Sequence, residues 1–398
     1  MMSKKVPELR FKGFTDEWEE RKLGELGSVA TNRRIFKDQT SENGEVPFFK
    51  IGTFGSKPDA FISRELFEEY KLKYPYPEIG DILISASGSI GRTVVYQGED
   101  EYFQDSNIVW LKHDNRLDNK FLKQFYSIVK WQGLEGSTIK RLYNKNILDT
   151  DISIPSTIEQ NKIGMFFEQL DNTIALHQRK LDLLKEQKKG FLQKMFPKNG
   201  AKVPELRFAG FADDWEERKL GDVLSERNDQ MPETNEYPLM SFVQGKGVTP
   251  KEERYNRSFL VKDSEKKYKK TELGDFIYSS NNLETGSIGF NRTGKAVISP
   301  VYSIFKSKKS RESQFIGIMS ARKDFISKMV RFRQGVVYGQ WRIHESDFLN
   351  IDIKMPNDKE QQLIISFFEN IDNTIALHQR KLDLLKEQKK GFLQKMFV

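Results

Sequence analysis

The chain contains one sequence block twice, and this duplication limits its possible folds more than any other feature does. The 26 residues of 171–196 return without a change at 372–397. A second block, Val6 to Gly24, returns as Val203 to Gly221 with three substitutions. The segments between these blocks have diverged. Each half of the chain therefore has a shared beginning, a variable middle and a shared tail, which predicts an internally repeated molecule.

Each shared tail has a stripe of mainly apolar residues at alternating intervals of four and three. The first stripe comprises Ile163, Phe167, Leu170, Ile174, His177, Leu181, Leu184, Lys188, Phe191 and Met195, and the second comprises Ile364, Phe368, Ile371, Ile375, His378, Leu382, Leu385, Lys389, Phe392 and Met396. Repeated 3.5-residue spacing predicts a coiled-coil seam. At 1.5 Å per residue the stripe spans about 50 Å. The alternative, in which each amphipathic helix packs on its own domain, is less favoured because so long a stripe outruns one small core.

The connection between the halves predicts how the two helices pair. Only residues 197–202 join the first helix to the globular head of the second half, so that head should lie near the far end of the first helix. The second helix has an equivalent stripe to bury, and it can do so by running back along the first. We therefore predict an antiparallel coiled coil with a globular head at each end and the two termini close together. His177 and His378 are then expected near an approximate two-fold axis.

The variable middles have the patterns of mixed α and β structure. Short apolar runs predict strands at 46–52, 81–85, 93–96 and 107–111 in the first middle and at 276–279, 296–299 and 302–305 in the second. Helices are predicted at 63–71, 121–131 and 313–332, and Gly88-Ser-Ile-Gly91 predicts a tight turn. Pro155 and Pro356 stand just before the long helices, which Ser156 and Asn357 can cap.

The predicted fold class is therefore α+β, with two mixed α/β heads and two long helices related by a pseudo-two-fold repeat. We place the first head at 1–155, the first helix at 156–196 and a linker at 197–202. The second head is placed at 203–356 and the second helix at 357–398.

The amino-acid composition excludes some kinds of site and favours one kind of partner. The chain has no cysteine, which excludes disulfides, thiolate metal sites and cysteine nucleophiles and is typical of a reducing cytoplasm. It has no run of about 18 apolar residues, so we expect a cytoplasmic protein that does not contact membranes. The formal net charge of +8 and the pI near 9.1 favour a polyanionic partner.

The sequence has no phosphate-binding glycine loop and no zinc-type His-Glu-x-x-His motif, so no cofactor or metal is expected. One carboxylate-and-lysine set, Asp59 with Glu69 and Lys71, has the loose spacing of a nuclease metal site. The segment from Ser63 to Lys71 reads as a capped helix, whereas such sites place the later carboxylate and lysine on a strand. We therefore expect no catalytic residues in this chain.

The variable middles instead contain candidates for DNA binding. Arginine, glutamine and asparagine make bidentate contacts to base edges, and Ser, Tyr and Lys contact bases or phosphates. The candidates in the first middle are Ser85, Ser87, Ser89, Arg92, Lys140, Arg141, Tyr143, Asn144 and Lys145. Those in the second are Ser279, Asn281, Asn282, Arg292, Arg331, Arg333, Gln334, Tyr338, Gln340 and Arg342. A plain solvated surface role is the alternative for each of these side chains.

Three sets of motifs carry a family resemblance. Val-Pro-x-Leu-Arg-Phe-x-Gly-Phe leads into Trp-Glu-Glu-Arg-Lys-Leu-Gly in both halves. A Gly-Asp pair precedes a strand and a serine at Gly80 and Gly274. Pro155 to Gln160 and Pro356 to Gln361 lead into helices that end in Phe-Leu-Gln-Lys-Met-Phe. In these motifs and their order, the chain resembles the specificity subunits of type I restriction–modification systems.

That resemblance implies two target-recognition domains that each read one half of a split sequence in double-stranded DNA. It implies helices that hold the heads apart and bind modification (methyltransferase) subunits, expected to be two. Restriction (ATP-dependent endonuclease) subunits would join through the complex, and this chain would be its non-catalytic recognition subunit. The alternatives are a two-headed regulator that binds DNA alone and a single-chain restriction enzyme, which would need methylation motifs that are missing here.

Overall fold

The computed structural model describes residues 6–134, 140–198, 200–250, 266–336 and 340–398. The chain divides into two compact units, one comprising Met1–Gln178 with Arg380–Val398 and the other Arg179–Gln379. Both divisions fall inside the long helices, so each helix contributes one part to each unit. No helix in the described ranges has the length and apolarity needed to cross a membrane.

Fourteen labelled elements form the first half of the described chain. In order they are β1 (Glu19–Lys22), α1 (Leu23–Leu26), β2 (Gly27–Ala30), β3 (Val46–Phe49), β4 (Phe61–Ile62), α2 (Arg64–Lys73), β5 (Ile82–Ser85), β6 (Thr93–Val95), β7 (Tyr102–Phe103), β8 (Ile108–His113), α3 (Asn119–Ile128), α4 (Asn144–Leu148), β9 (Asp151–Ile154) and the long helix α5 (Thr157–Lys194). A short 3-10 turn lies at Lys37–Gln39.

The second half has a related series of elements. In order they are β10 (Glu216–Lys219), α6 (Leu220–Val223), β11 (Leu224–Glu226), β12 (Gln230–Met231), β13 (Met240–Val243), β14 (Gly247–Pro250), β15 (Tyr268–Thr271), β16 (Phe276–Tyr278), β17 (Ile288–Phe290), β18 (Ala296–Ile298), β19 (Ser303–Ser307), α7 (Glu312–Met319), α8 (Lys323–Val330), β20 (Gln334–Val336), β21 (Gln340–Arg342), α9 (Glu345–Leu349), β22 (Asp352–Met355) and the long helix α10 (Asp358–Met396).

Each head is built on a four-stranded antiparallel sheet with the same strand order. The order is β2-β8-β5-β6 in the first head and β11-β19-β16-β17 in the second. Strands β5 and β16 are central and are buried along their whole length. This burial explains why the sequence there is a continuous apolar run and does not alternate.

A second shared feature is a two-stranded ribbon that joins the start of each head to its end. In the first head β1 pairs with β9, so that Glu19 faces Ile154. In the second head β10 pairs with β22 in the same register, so that Glu216 faces Met355. The remaining strands differ between the heads. β3 pairs with β4 and, in parallel, with β7, whereas the second head has a β12-β15-β18 sheet and a β13–β14 hairpin.

The long helices pair in an antiparallel direction within each unit. In the first unit the rings of Phe166 and Phe392 lie 5.1 Å apart, and Asp171 bonds to Lys389 at 2.5 Å. In the second unit Phe191 lies 4.9 Å from Phe367, and Lys188 pairs with Asp372. In both cases later residues of one helix meet earlier residues of the other, as the sequence predicted. All members of both stripes are buried or half-buried.

The end of each long helix forms part of the hydrophobic core of a head. Leu393 and Met396 belong to the cluster that contains Trp18, Phe121 and Phe167. Met195 and Phe196 belong to the corresponding cluster around Trp215 in the second head. The predicted position of the second head, near the far end of the first helix, is confirmed by this packing. The proximity of the chain's first and last segments is confirmed by a 2.8 Å hydrogen bond from the Leu9 amide to the Lys395 carbonyl.

Two local predictions have different outcomes. The tight turn at Gly88–Gly91 is confirmed: it links β5 to β6, and both glycines have positive φ angles of 65° and 81°, which side chains rarely adopt. The single helix predicted over 313–332 is wrong, because the chain forms α7 and α8 with a break between them. Ser320 ends α7 and is fully buried, and its hydroxyl donates to the Gly317 carbonyl at 2.8 Å.

Candidate nucleic-acid interface

The repeated arginines of the shared beginnings fix each head to the start of a long helix. Arg10 forms two hydrogen bonds to Glu159, of 2.6 and 2.7 Å, and Arg207 forms two to Glu360, of 2.7 and 2.8 Å. Both glutamate side chains are only 1% exposed. A bidentate arginine–carboxylate pair restricts both position and orientation. The same arginine–glutamate contact is therefore made in both heads.

The glutamine that follows each of these glutamates closes the adjoining turn. Gln160 donates to the Pro155 carbonyl at 2.9 Å, and Gln361 donates to the Pro356 carbonyl at 2.8 Å. The predicted caps are present as well. The hydroxyl of Ser156 accepts from the Glu159 amide, and the Asn357 side chain accepts from the Glu360 amide at 3.1 Å. Together these bonds set the angle at which each helix leaves its head.

A repeated aspartate connects each head to the paired helices at a second point. Asp171 pairs with Lys389 and with Lys123 of α3, the latter at 3.3 Å. Asp372 pairs with Lys188 and with Arg292, the latter at 2.9 Å. Burial lowers the pKa of Arg292, while the charge of Asp372 opposes this effect. Arg292 was predicted to bind DNA, but it lies against Phe290 and this carboxylate, so we exclude it from the proposed contacts.

Two predicted DNA contacts, Ser85 and Ser279, are buried at the ends of the central strands, so we exclude both from the proposed contacts. Their exposures are 1% and 3%. The Ser85 hydroxyl donates to the Ser89 carbonyl and accepts from the Arg92 amide at 2.9 Å. Ser85 is the last residue of β5 and Ser279 directly follows β16, and both side chains are turned inward. They stabilise the loops that follow and are not available to a ligand.

The remaining candidates of the first head form a surface around Arg141. Ser87 and Arg141 form a β-bridge, and the Arg141 guanidinium donates to the Ser106 carbonyl at 2.8 Å. The Ser87 hydroxyl donates to the Asn107 side chain at 2.8 Å. Four further candidates here are exposed, namely Lys140, Tyr143, Asn144 and Lys145. Ser89 and Arg92 are exposed on the preceding loop, where Arg92 donates to the Phe54 carbonyl at 2.8 Å. We call this set the first-head surface.

The corresponding region of the second head is built from the 279–287 loop and the β20–β21 hairpin. The Asn281 side chain accepts from the Trp341 amide at 2.6 Å, and the Ser280 hydroxyl accepts from the Ile343 amide at 3.0 Å. Asn281, Asn282 and Arg342 are exposed. We call this region, with Trp341, the second-head surface.

The two surfaces have one equivalent pair of arginines. Arg141 precedes the buried Leu142, which leads into α4, and Arg342 precedes the buried Ile343, which leads into α9. The ribbon strands β9 and β22 follow these short helices in the same way. The shared frame therefore presents one arginine at the same place in each head, although the surrounding loops differ.

The other second-head candidates have mixed environments. Arg331 and Gln334 are exposed, whereas Arg333 is 10% exposed and bonds to Glu284 at 2.9 Å. The backbone of Gln340 pairs with Val336 across the hairpin. Tyr338 lies outside the described residues.

Sequence reasoning missed three exposed side chains near these surfaces. Trp341 is 49% exposed, and its signal was an aromatic residue between Gln340 and Arg342. Arg33 and Arg34 are exposed just after Thr31, whose hydroxyl accepts from the Ser106 amide at 2.9 Å. Two adjacent arginines directly after the first strand of the sheet were the available signal.

Comparison with known proteins identifies the family of this chain. The profile described as type I restriction modification DNA specificity domain matches residues 15–186 and again residues 212–387. These two matches cover most of the chain. The chain belongs to this family of specificity subunits.

Curated relatives of this chain are also described as type I restriction enzyme specificity subunits. A Haemophilus influenzae type I restriction enzyme specificity subunit is 57% identical over 157 residues, which are 38% of this chain and 41% of that relative. The MjaX specificity subunit of Methanocaldococcus jannaschii is 23% identical over 411 residues, covering 95% of this chain and 92% of the relative.

Solved structures of low sequence identity share the fold. The type I restriction–modification S subunit of M. genitalium aligns with a TM-score of 0.64 at 14% identity, covering 99% of both chains. A chain from a structure of type I restriction–modification complex assembly aligns with a TM-score of 0.50 at 14% identity, covering 96% of this chain and 97% of that one.

Specificity subunits are the non-catalytic recognition subunits of these systems, and the nuclease-like residues of this one have separate partners. Asp59 pairs with Lys50 at 2.9 Å, Glu69 with Lys73 at 2.9 Å, and Lys71 with Asp100 at 3.4 Å. Glu69 and Lys71 lie on α2, which Ser63 caps as predicted. Among the residues that the structure describes, no group of three or more His, Cys, Asp or Glu side chains is arranged to hold a metal ion.

Proposed function

We propose that this specificity subunit reads a bipartite DNA site, with the first-head surface contacting one half and the second-head surface the other. The observation that carries the proposal is the pair Arg141 and Arg342, which the shared frame presents at the same place among divergent loops. Arginine is the side chain that most often makes specific contacts to guanine in the major groove. A constant frame with variable loops suits two heads that recognise different DNA sequences.

We propose further that the paired helices set the spacing between the half-sites. Support comes from the contacts that hold each head on its helices. These are the Arg10–Glu159 and Arg207–Glu360 pairs and the ion pairs of Asp171 and Asp372. Because every one of these contacts involves buried or half-buried charge, a head is not free to swivel on its helix.

The helices are also the proposed docking sites for two modification subunits, through which restriction subunits would join the complex. Each helix has exposed leucines that lie outside the seam. Leu176 and Leu183 are 60% and 58% exposed on α5, and the identical positions Leu377 and Leu384 are 64% and 51% exposed on α10. Apolar residues seven apart form one face of a helix. Two copies of one apolar face suit two copies of one partner.

Genome-wide mapping of N6-methyladenine, with and without this gene, tests the proposal. The expected result is one methylated motif, made of two defined halves around an unread spacer, that disappears in the deletion strain and returns with the gene. An unchanged methylation map would reject the proposal. The alternative of a regulator that acts alone predicts that unchanged map together with tight site-specific binding by the purified chain.

A further inference from the structure

A cleft of about 370 Å³ opens beside the second-head surface and is not explained by the packing of the fold. Its rim includes Trp341 and Val301, which are 49% and 64% exposed. Its inner wall includes Lys269, Ser280 and Ser303, all of which are at least nine-tenths buried. The cleft therefore has an aromatic mouth and a polar interior.

Lys269 is the unusual member of this wall. It lies on β15 and is 8% exposed. In the described part of the chain no carboxylate lies within ion-pair distance of its ammonium group, and no hydrogen bond satisfies it. The buried part of Lys269 is its aliphatic stem, and its ammonium group keeps access to the cleft. An unpaired ammonium in the wall of an open cleft is suited to a ligand.

The other charges in the cleft leave one positive charge uncompensated. Glu345 accepts from the Ser303 hydroxyl at 2.9 Å and lies 3.6 Å from the Arg342 guanidinium. Burial acts to raise the pKa of Glu345, but hydrogen bonds from its own amide and Ser303 and the charges of Lys269 and Arg342 together lower it. The carboxylate is thus ionised and already engaged, and two cations face it. The net charge of the cleft suits a singly charged anion.

We infer that this cleft binds one backbone phosphodiester of the DNA, with Lys269 as its charged contact and the adjoining deoxyribose against Trp341. This inference rests on the proposed function and adds a phosphate site to the second head. A phosphodiester has one negative charge at neutral pH, and the apolar face of a deoxyribose can pack on an indole ring while its base stays paired. Asn281 and Arg342 line the same cleft, so a strand read by those residues passes its mouth.

The test compares DNA binding by the full chain, co-purified with its modification subunits, before and after Lys269→Met. Methionine keeps the length of the side chain and removes the charge. Binding is measured on a duplex carrying the mapped methylation site and on a scrambled duplex. Both affinities should fall by a similar factor, on the order of tenfold. The slope of log affinity against log salt should become smaller by about one unit.

Lys323→Met is the matched control, because this lysine is exposed at the start of α8 and does not line the cleft. Its affinity and salt slope should stay close to those of the wild type. An unchanged affinity and slope in Lys269→Met would overturn the inference. Relaxed specificity at one base pair with an unchanged slope would also overturn it, because Lys269 would then contact a base.

Two further measurements separate the possible causes of failure. Thermal unfolding shows whether Lys269→Met is folded, and if it is not, Trp341→Ala tests the mouth of the same cleft. That variant should also lose affinity for both duplexes, and wild-type affinity would overturn the inference. If the wild type prefers neither duplex, the proposed function fails. The comparison on the scrambled duplex then still decides whether Lys269 binds phosphate.

Discussion

At the scale of single residues, the buried ion pairs at the starts of the long helices are the most testable feature. Arg207 is 13% exposed and Glu360 is 1% exposed. Arg207→Met leaves this carboxylate buried without a counter-charge. The free energy of unfolding should therefore fall by about 2–3 kcal/mol, measured by denaturant titration.

Arg218→Met is the control for that experiment. Arg218 pairs with Glu216 in the same head, but both side chains are well exposed, at 42% and 68%. Its loss should change stability by no more than about 0.5 kcal/mol. Equal effects of the two substitutions would show that burial of Glu360 does not determine the stability of this contact.

The equivalent arginines of the two heads give a prediction about specificity. With Arg141→Ala, methylation of the site should fall about tenfold, or base specificity should be relaxed in the first half of the site only. The reason is that one bidentate base contact contributes about 1–3 kcal/mol. Arg342→Ala should affect the second half only. Sequencing of methylated sites in cells measures both effects. Arg21→Ala is the control, because the Arg21 side chain on β1 is 41% exposed and pairs only with the exposed Glu19 among the described residues. An equal loss of base specificity at both halves of the site, caused by either variant, would contradict the assignment.

Sequence reasoning predicted the residue types of the candidate surfaces better than their orientation. It selected Arg141, Asn281 and Arg342, which lie on the two proposed surfaces and whose contacts with DNA stay a prediction. It also selected Ser85 and Arg292, whose side chains the fold uses internally. A serine at the end of a strand can face either side, and only the loop that follows decides which. The role of Arg292 depends on Asp372, which is 80 positions away and could not be identified as its partner from spacing.

At the scale of elements, the long helices were predictable because a 3.5-residue period sustained over ten positions is typical of a coiled-coil seam and of little else. The central strands were also predictable, since β5 is apolar up to its last residue, Ser85, and β16 is apolar throughout. The break between α7 and α8 was not, because the apolar pattern continues through it. There Ser320 is buried and bonds back to Gly317. Local capping of this kind does not change the spacing of the apolar residues, so the sequence pattern does not reveal it.

Exchange of a variable middle tests whether the heads are independent readers. The ribbon strands β1 and β9 close the first head at residues 19–22 and 151–154, so replacement of 25–152 by the segment of a relative leaves most of the ribbon intact. Only one half of the methylated sequence should change. The same exchange in the second head is the control and should change only the other half. A change in both halves would mean that the heads read the site jointly.

Insertion of one heptad into each long helix tests whether the helices set the spacer. Seven residues after Leu181 and after Leu382 keep both stripes in phase and add about 10 Å. The two half-sites should keep their sequences while the spacer grows by at most about three base pairs, at roughly 3.4 Å each. A five-residue insertion rotates the following stripe by about 140° and should destabilise the protein. An active heptad variant with an unchanged spacer would show that the heads fix the geometry.

At the scale of the whole molecule, the identity of the two tails predicts that half of the chain can assemble with itself. The core of the first head takes Leu393 and Met396 from the second tail. A chain of residues 1–198 has the same tail, with Leu192 and Met195 at those positions. We expect this half-chain to form a dimer in which each tail enters the head of the other copy, as measured by light scattering after gel filtration.

The variant half-chain Leu192→Asp with Met195→Asp is the control. Carboxylates at these positions would be buried without partners, so the dimer should not form. A wild-type half-chain that is monomeric and fully folded would contradict the prediction, because the head would then be stable without any tail.

The origin of each head's core has a consequence for synthesis on the ribosome. The second head receives Met195 and Phe196, which are translated before it, so all of its core residues are present once the start of α10, up to Phe368, emerges. The first head receives Leu393 and Met396, which are translated after the entire second head. It therefore waits through roughly 200 further residues, about ten to forty seconds at usual elongation rates, with part of its apolar surface uncovered. Two heads that are equivalent in structure thus mature at different times, and the earlier one in the sequence is the later one to finish.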